Sequence, residues 1–298
     1  MKQRKPPLRL LAGAMILGWT PSISIAQAPP GTDIWIFDYS PEGLDIGSGI
    51  QATNRPGYDN QPHFLPGGRI LLFTSIDEAG QADIHRFDIR TRTIGPLTNT
   101  APESEYSATL MPSGDGISVI RVEADSTQRL WSFDLSGEHP RVLLQDLQPV
   151  GYQAWITEDE LALFILGSPA TLQIASLETG QGTVAARDIG RSLYRVPGKK
   201  TVSFVQWDGG GGGLITELDP WTGRTEILAP LLRGNEFYAW TPEGALLMGQ
   251  GSELFRFLPG TSSEWELVAD LSPLGIDGHS RVAVSPEGDR VAVVGLER

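Results

Sequence analysis

A short turn recurs along this chain at a nearly constant interval, and that interval limits the available folds more than any other feature. It first appears in "QPHFLPGGRILLFTS", residues 61–75, where Pro66, Gly67 and Gly68 precede an apolar run. It returns in "LMPSGDGISVIRVE" from Leu110, "WITEDELALFILG" from Trp155, "YRVPGKKTVSFVQW" from Tyr194, "WTPEGALLMGQ" from Trp240 and "VSPEGDRVAVVG" from Val284. With Pro66, Pro112, Glu158, Pro197, Pro242 and Pro286 as equivalent positions, the steps are 46, 46, 39, 45 and 44 residues. A four-stranded propeller blade repeats every 40–50 residues or so, roughly this period. A phosphate-cradling glycine loop opens a helix. Here "RILLFTS" reads as a buried strand, so Gly67-Gly68 is expected to be a hairpin turn.

Within each repeat the pattern is strand, turn, strand, gap, strand, turn, strand. "PHFL" and "RILLFTS" are followed by "ADIHRFDI" and "TIGPLTN", and the polar-Gly turns "ETGQG", "DPWTGR" and "LPGTSS" join the outer strands of later repeats. No segment of the mature chain carries the 3.6-residue periodicity of an amphipathic helix. The ends are complementary. "HSRVAVSPEGDRVAVVG" supplies only the first two strands of a sixth repeat, whereas "DIWIFDYSPEGLDIGSGIQATN" has the form of a second half. Asp33 to Asp38 aligns with residues 83–88, and Thr53-Asn54 with Thr98-Asn99. The reading is all-β: one six-bladed β-propeller over residues 27–298, with one blade shared between the N- and C-terminal strands so that no sheet edge is left at the seam.

The turn of form xP(D/E/S)G, set between an apolar strand and a following "(I/L)W.FD" strand, resembles the propeller repeat of TolB and its relatives. The resemblance covers residues 33–298. Gly67, Ser113 and Glu243 stand where the family usually has Asp. It implies a ligand-binding propeller, not a reaction. TolB also carries an N-terminal α/β domain, for which residues 27–32 leave no room, so only the propeller is similar.

Lys2, Arg4, Lys5 and Arg9 precede the apolar stretch Leu10–Trp19 and the small-residue segment "SISIAQA". That order predicts a secretory signal peptide over residues 1–26, cleaved after Ala26, since the apolar stretch is too short to span a bilayer. Without cysteine there is no disulfide framework or thiolate metal site. A periplasmic or secreted bacterial protein that does not insert into the membrane is expected. Cleavage removes four cations and no carboxylate, moving the formal charge from −13 to −17. Such a surface repels nucleic acid and anionic headgroups, so neither is expected as a partner.

Catalytic motifs are sparse. "GHSRV", Gly278 to Val282, has a valine where a nucleophile elbow needs its second glycine, and it begins a predicted inner strand. His63, His85, His139 and His279 show no zinc-binding spacing, no calcium loop occurs, and no metal or other cofactor is expected. "DGGGGG", 208–213, is read as a hairpin loop. Trp35 and Trp131 occupy equivalent positions, as do Phe64, Trp155 and Trp240. Repetition of that kind marks packing between blades.

What differs between repeats is the segment just before each inner strand: "DNQPHF", "EYSATL", "VGYQAW", "GRSLYR", "NEFYAW" and "HSRVAV". In the family that this chain resembles, such segments gather around one mouth of the central channel, where ligands bind. Asp59, Asn60, Glu105, Tyr106, Tyr152, Arg191, Asn235, Glu236 and His279 are therefore expected at that mouth, with His63 lining the channel or packed as a structural histidine. The leading expectation is a monomeric, non-enzymatic propeller that binds a protein or peptide. Two alternatives stay open: a lyase or hydrolase with catalytic groups in the channel, and a structural scaffold in an envelope assembly.

Overall fold

The computed structural model describes residues 29–296, so the expected signal peptide lies outside the described residues. The chain begins with β1 (Thr32–Ser40) and β2 (Gly43–Gln51). Five four-stranded blades follow in order. Blade 1 holds β3 (Tyr58–Phe64), β4 (Ile70–Ile76), β5 (Ala82–Asp88) and β6 (Thr93–Pro96); blade 2 holds β7 (Ser104–Leu110), β8 (Gly116–Val122), β9 (Gln128–Asp134) and β10 (Arg141–Val142). Blade 3 comprises β11 (Val150–Trp155), β12 (Glu160–Ile165), β13 (Thr171–Ser176) and β14 (Gly182–Arg187). Blade 4 comprises β15 (Ile189–Arg195), β16 (Val202–Trp207), β17 (Gly213–Leu218) and β18 (Thr225–Pro230). Blade 5 comprises β19 (Tyr238–Trp240), β20 (Leu246–Gln250), β21 (Glu253–Phe257) and β22 (Glu266–Asp270).

The last two strands, β23 (His279–Val284) and β24 (Arg290–Leu296), return to the start of the chain. β24 pairs antiparallel with β1 from Thr32↔Leu296 to Asp38↔Arg290, and β1 pairs with β2, so blade 6 is β23-β24-β1-β2. The shared blade expected from the sequence is thus observed. A polar latch explains why the two halves look alike. The Ile34 N–H donates to Thr53 Oγ1 at 2.9 Å, whose hydroxyl donates to Asp33 at 3.0 Å. In blade 1 the Ile84 N–H donates to Thr98 Oγ1 at 2.9 Å, and that hydroxyl donates to Asp83 at 3.4 Å.

The recurring turns are hairpins. Leu65 N–H donates to Ile70 O and Gly68 N–H to Leu65 O; the same pair of bonds recurs around Gly114 and Gly288, and around Gly244 with the loop one residue shorter, Thr241 N–H donating to Ala245 O. Gly68 at φ +58°, Gly114 at +76° and Gly244 at +89° hold the left-handed conformation that such a turn needs. At the seam, Gly67 N–H donates to Glu287 Oε1 at 2.6 Å, and Arg290 Nη1 donates to Gly68 O at 2.6 Å.

The second strand of each blade is buried on both faces, which is why "ILLFTS" and "LALFI" are almost uninterruptedly apolar. Six apolar clusters result, one at each junction between neighbouring blades. Leu72 and Ile84 meet Ile117 and Phe133 between blades 1 and 2, and Ile120 and Leu130 meet Val150 and Leu161 between blades 2 and 3. At the seam Ile34, Ala292 and Val294 pack on Phe64, Leu71 and Phe73. A cluster at this sixth junction closes the ring. The tryptophans serve the same junctions: Trp155 Nε1 donates to Ser118 Oγ and Trp240 Nε1 to Ser203 Oγ, both at 2.9 Å and both reaching into the preceding blade.

Candidate binding site at the channel mouth

Every blade's first strand lines the channel, and five of the six carry a bulge near the start. The register shifts between Asn60 and His63, Tyr106 and Thr109, Val150 and Tyr152, Ile189 and Leu193, and His279 and Arg281. Gln61 and Ser107 take φ of 58° and 54° to accommodate it. A bulge breaks the two-residue alternation of a strand and re-aims one side chain. Here it carries the third residue of each variable segment toward the axis: Gln61, Ser107, Tyr152, Ser192 and Arg281 line the neck of the channel.

Below the neck the lumen is narrow, about 100 Å³. Gln61 Oε1 accepts the Ser107 N–H at 2.8 Å and the Thr74 hydroxyl at 2.7 Å, and Gln153 Nε2 donates to Ser107 O at 2.9 Å. His63 lines this lumen too. Its Nε2 accepts the Leu110 N–H at 3.1 Å, which fixes the neutral tautomer with the proton on Nδ1. Burial pushes the imidazole down to about 4, so it stays neutral and holds blade 2 against blade 1.

At the mouth, Arg281 lies with its guanidinium 3.7 Å from the centroid of Phe237 and 5.1 Å from that of Tyr152, and donates to the Tyr152 hydroxyl at 2.9 Å. Arg191 sits over the same Phe237 at 5.0 Å and is paired with Glu236, Nη2 to Oε1 2.5 Å. The pairing with Glu236 holds the Arg191 pKa above its ordinary value despite burial. Tyr58 is pushed up to about 12 by burial, against the pull of Arg281 and Arg191, and stays a neutral phenol. Two cavities flank this neck and meet at Arg191. One, about 460 Å³, is walled by Tyr58, Tyr106, Ile120, Phe164 and Leu166. The other, about 600 Å³, lies between blades 4 and 6 beside Trp207, Leu231, Asn235 and the glycines of 211–213, which form the hairpin loop expected between β16 and β17.

The residues expected at the mouth divide. Tyr106, Tyr152, Arg191, Asn235 and Glu236 border the neck or its flanking cavities. Asp59, Asn60 and Glu105 do not face the opening, because they precede the bulge and point back between strands. Asp59 is fully buried, accepting from Arg55 at 2.6 Å and from Ser75 Oγ at 2.7 Å. Asn60 ties blade 1 to blade 6 through Thr32 and Ser280. Glu105, also 0% exposed, accepts from Thr100 Oγ1 at 2.5 Å and stands 3.3 Å from Arg121 Nε. His279 borders the larger cavity, 8% exposed, with neither ring nitrogen in a hydrogen bond. Burial holds it below the ordinary imidazole range.

Phe237 and Arg281, the centre of the neck, were not expected from the sequence. The signal for them was one column away in the same six aligned segments. Chemically the mouth offers stacked guanidiniums, tyrosine hydroxyls and apolar shelves, a surface suited to recognising a ligand. The opposite mouth is formed by the turn end of the blades, a cavity of about 350 Å³ walled by Tyr194, Trp240 and prolines 62, 197, 242 and 286. Among the described residues no group of three or more His, Asp or Glu is placed to hold a metal ion.

No protein-family model matches the sequence, and no curated protein matches it. The fold does have solved counterparts. A TolB candidate from Agrobacterium tumefaciens superposes with a TM-score of 0.69 at 14% identity, covering 91% of this chain and 100% of that one. TolB from Acinetobacter baumannii gives 0.60 at 12% identity over 90% of this chain and 64% of its own length. Oligogalacturonate lyase from Vibrio parahaemolyticus gives 0.51 at 11% identity, covering 92% and 99%. These likenesses establish a TolB-like propeller fold.

Proposed function

We propose that this protein is an exported binding propeller that takes a segment of a protein partner across the channel mouth. The observation that carries the proposal is the neck itself: two arginines over Phe237, bordered by Tyr152 and Tyr58, with a cavity of about 600 Å³ on one side and one of about 460 Å³ on the other. Aromatic and arginine side chains are the usual anchors of such contacts. The TolB-like fold supports the same reading. The channel-enzyme alternative loses its most natural base, because the acceptor nitrogen of His63 is already occupied by a backbone N–H.

A photo-crosslinking residue placed at Phe237, and separately at Trp240 on the opposite mouth, tests this in envelope extracts. The proposal requires a defined crosslinked partner from position 237, lost on Arg191→Glu with the melting temperature within a few degrees. Crosslinks from 240 alone would assign the function to the other face. Export is tested by the mass of the mature protein: about 26 residues should be missing from the N-terminus of material recovered from the periplasm. An intact N-terminus in the cytosol would refute it.

A further inference from the structure

The neck holds two guanidiniums, Arg191 and Arg281, and one carboxylate, Glu236, with Arg233 lining the larger cavity beside it. Glu236 is committed to Arg191: its Oε2 accepts the Arg191 backbone N–H at 2.7 Å, and its Oε1 receives Nε and Nη2 of the same side chain, each at 2.5 Å. Arg281 makes no ion pair among the described residues. Its one hydrogen bond there goes to the Tyr152 hydroxyl, which leaves the rest of its donor fork open. The rings of Phe237 and Tyr152, their centroids 3.7 and 5.1 Å from the guanidinium carbon, hold the head of Arg281 at the neck. On a protein of formal charge −13, an arginine with no carboxylate partner among the described residues is a positive site in a field that otherwise repels free anions.

Size narrows the ligand. The lumen beside Arg281 is small, about 100 Å³ against about 460 and 600 Å³ for the cavities that flank it, and suits a compact group such as a carboxylate better than a large side chain. Next to it, the cavity of about 460 Å³ offers an apolar wall of Ile120, Phe164 and Leu166. We infer that the mouth recognises a carboxylate attached to an apolar group: the carboxylate takes the open fork of Arg281, and the apolar group lies on the Phe164–Leu166 shelf. This deepens the binding role proposed above and rests on it for the identity of the donor, which can be an acidic side chain, a chain terminus or a free small acid. Planar two-point pairing is what arginine supplies and lysine does not.

The test compares acids with their amides on the intact mature protein by calorimetric titration and by shifts in amide NMR spectra. The probes are 3-phenylpropionate against 3-phenylpropanamide; the capped peptide Gly-Ser-Phe-Asp-Ser-Gly against its Asn counterpart; and Gly-Ser-Ser-Gly-Ser-Phe with a free against an amidated C-terminus. The acid of at least one pair should bind about tenfold or more tighter than its amide, since a charge-assisted hydrogen bond contributes about 1.5–3 kcal/mol. The preference should shrink with salt and vanish in Arg281→Gln, while Arg281→Lys keeps only part of it. Tyr152→Phe, which keeps the ring and loses the hydroxyl that steadies the fork, should weaken it less. Equal affinity for acid and amide in every pair, or no binding of any acid, overturns the inference even if Arg281→Gln misfolds, because this comparison needs only the natural sequence. If the peptides bind but acid and amide bind equally in every pair, the peptide-binding role stands and the carboxylate inference falls. If 3-phenylpropionate is preferred and no peptide binds, the inference stands and the protein-partner reading falls.

Discussion

Glu105 gives the fold a pH dependence that a single substitution removes. Burial is the largest influence on its carboxyl and raises its pKa to about 7, against the opposing pull of the Thr100 hydroxyl and of Arg121. Arg121 helps little because its Nε, 3.3 Å away, is not aligned for a hydrogen bond, and Glu105 Oε2 has no partner. A carboxyl with a folded-state pKa above its unfolded value near 4.5 favours folding in its protonated form. Its effect is therefore neutral below the unfolded pKa, and stability is lost as pH rises from there to about 7. Integrated from pH 5 to pH 8, a shift of this size removes about 2.5 kcal/mol from the unfolding free energy. Glu105→Gln abolishes that component whatever it does to stability overall, since the amide does not titrate. Urea unfolding of both proteins at pH 5, 6, 7 and 8 should show the difference in free energy between them changing by about 2.5 kcal/mol, with the variant gaining as pH rises. A difference that is constant with pH would mean that Glu105 is already ionised at pH 5, and would refute the reasoning.

Two glycines separate backbone conformation from space. Gly244→Ala, at φ +89° with nothing within 4 Å of the new Cβ, should lose about 1–2 kcal/mol to the left-handed backbone alone. Gly137→Ala, at φ +81° with a Cβ 1.8 Å from Leu97 O, should lose distinctly more, and equal urea midpoints would contradict this. Deleting residues 27–40 removes β1 from the middle of blade 6, and the calorimetric and van't Hoff enthalpies of unfolding should then cease to agree. Trp155→Phe should lose about 1 kcal/mol in thermal unfolding by removing the 2.9 Å bond to Ser118 Oγ, which keeps only its 3.4 Å contacts to Thr109 O and Gln153 Nε2; no change would show that those contacts or water replace it.

The sequence reads well where conformation is set locally. Pro66 and Gly68, Pro242 and Gly244 mark turns because few other residues adopt those dihedral angles; five turns of this kind, with the Glu158 turn falling in step between them, define the blades. Closure was legible too, because the Asp33–Thr53 latch needs the same side chains as Asp83–Thr98. The mouth was half legible. Which segments gather there follows from the repeat, but which residues face the axis depends on a bulge, and neither Gln61 nor Ser107 advertises a positive φ in sequence. Membership of the variable segments put Asp59 and Glu105 at the opening; both lie ahead of the bulge and are buried, and the bulge brings forward the column of Gln61, Tyr152 and Arg281. Arg281 also escapes notice because its neighbours, His279 and Ser280, carry more familiar chemistry.

The shared blade also sets a timetable. β1 ends at Ser40, and the strand that will flank it, β24, begins at Arg290, some 250 residues later in synthesis. At about 5–20 residues per second, that interval is on the order of 10–50 s. Throughout it, the hairpin of β1 and β2 has made its own short-range pairing but shows a bare edge to everything nearby. The other blades can be finished in the order in which they emerge; the first strands made are the last to find a lasting neighbour. A chain built this way gains from being kept extended until its final residues arrive.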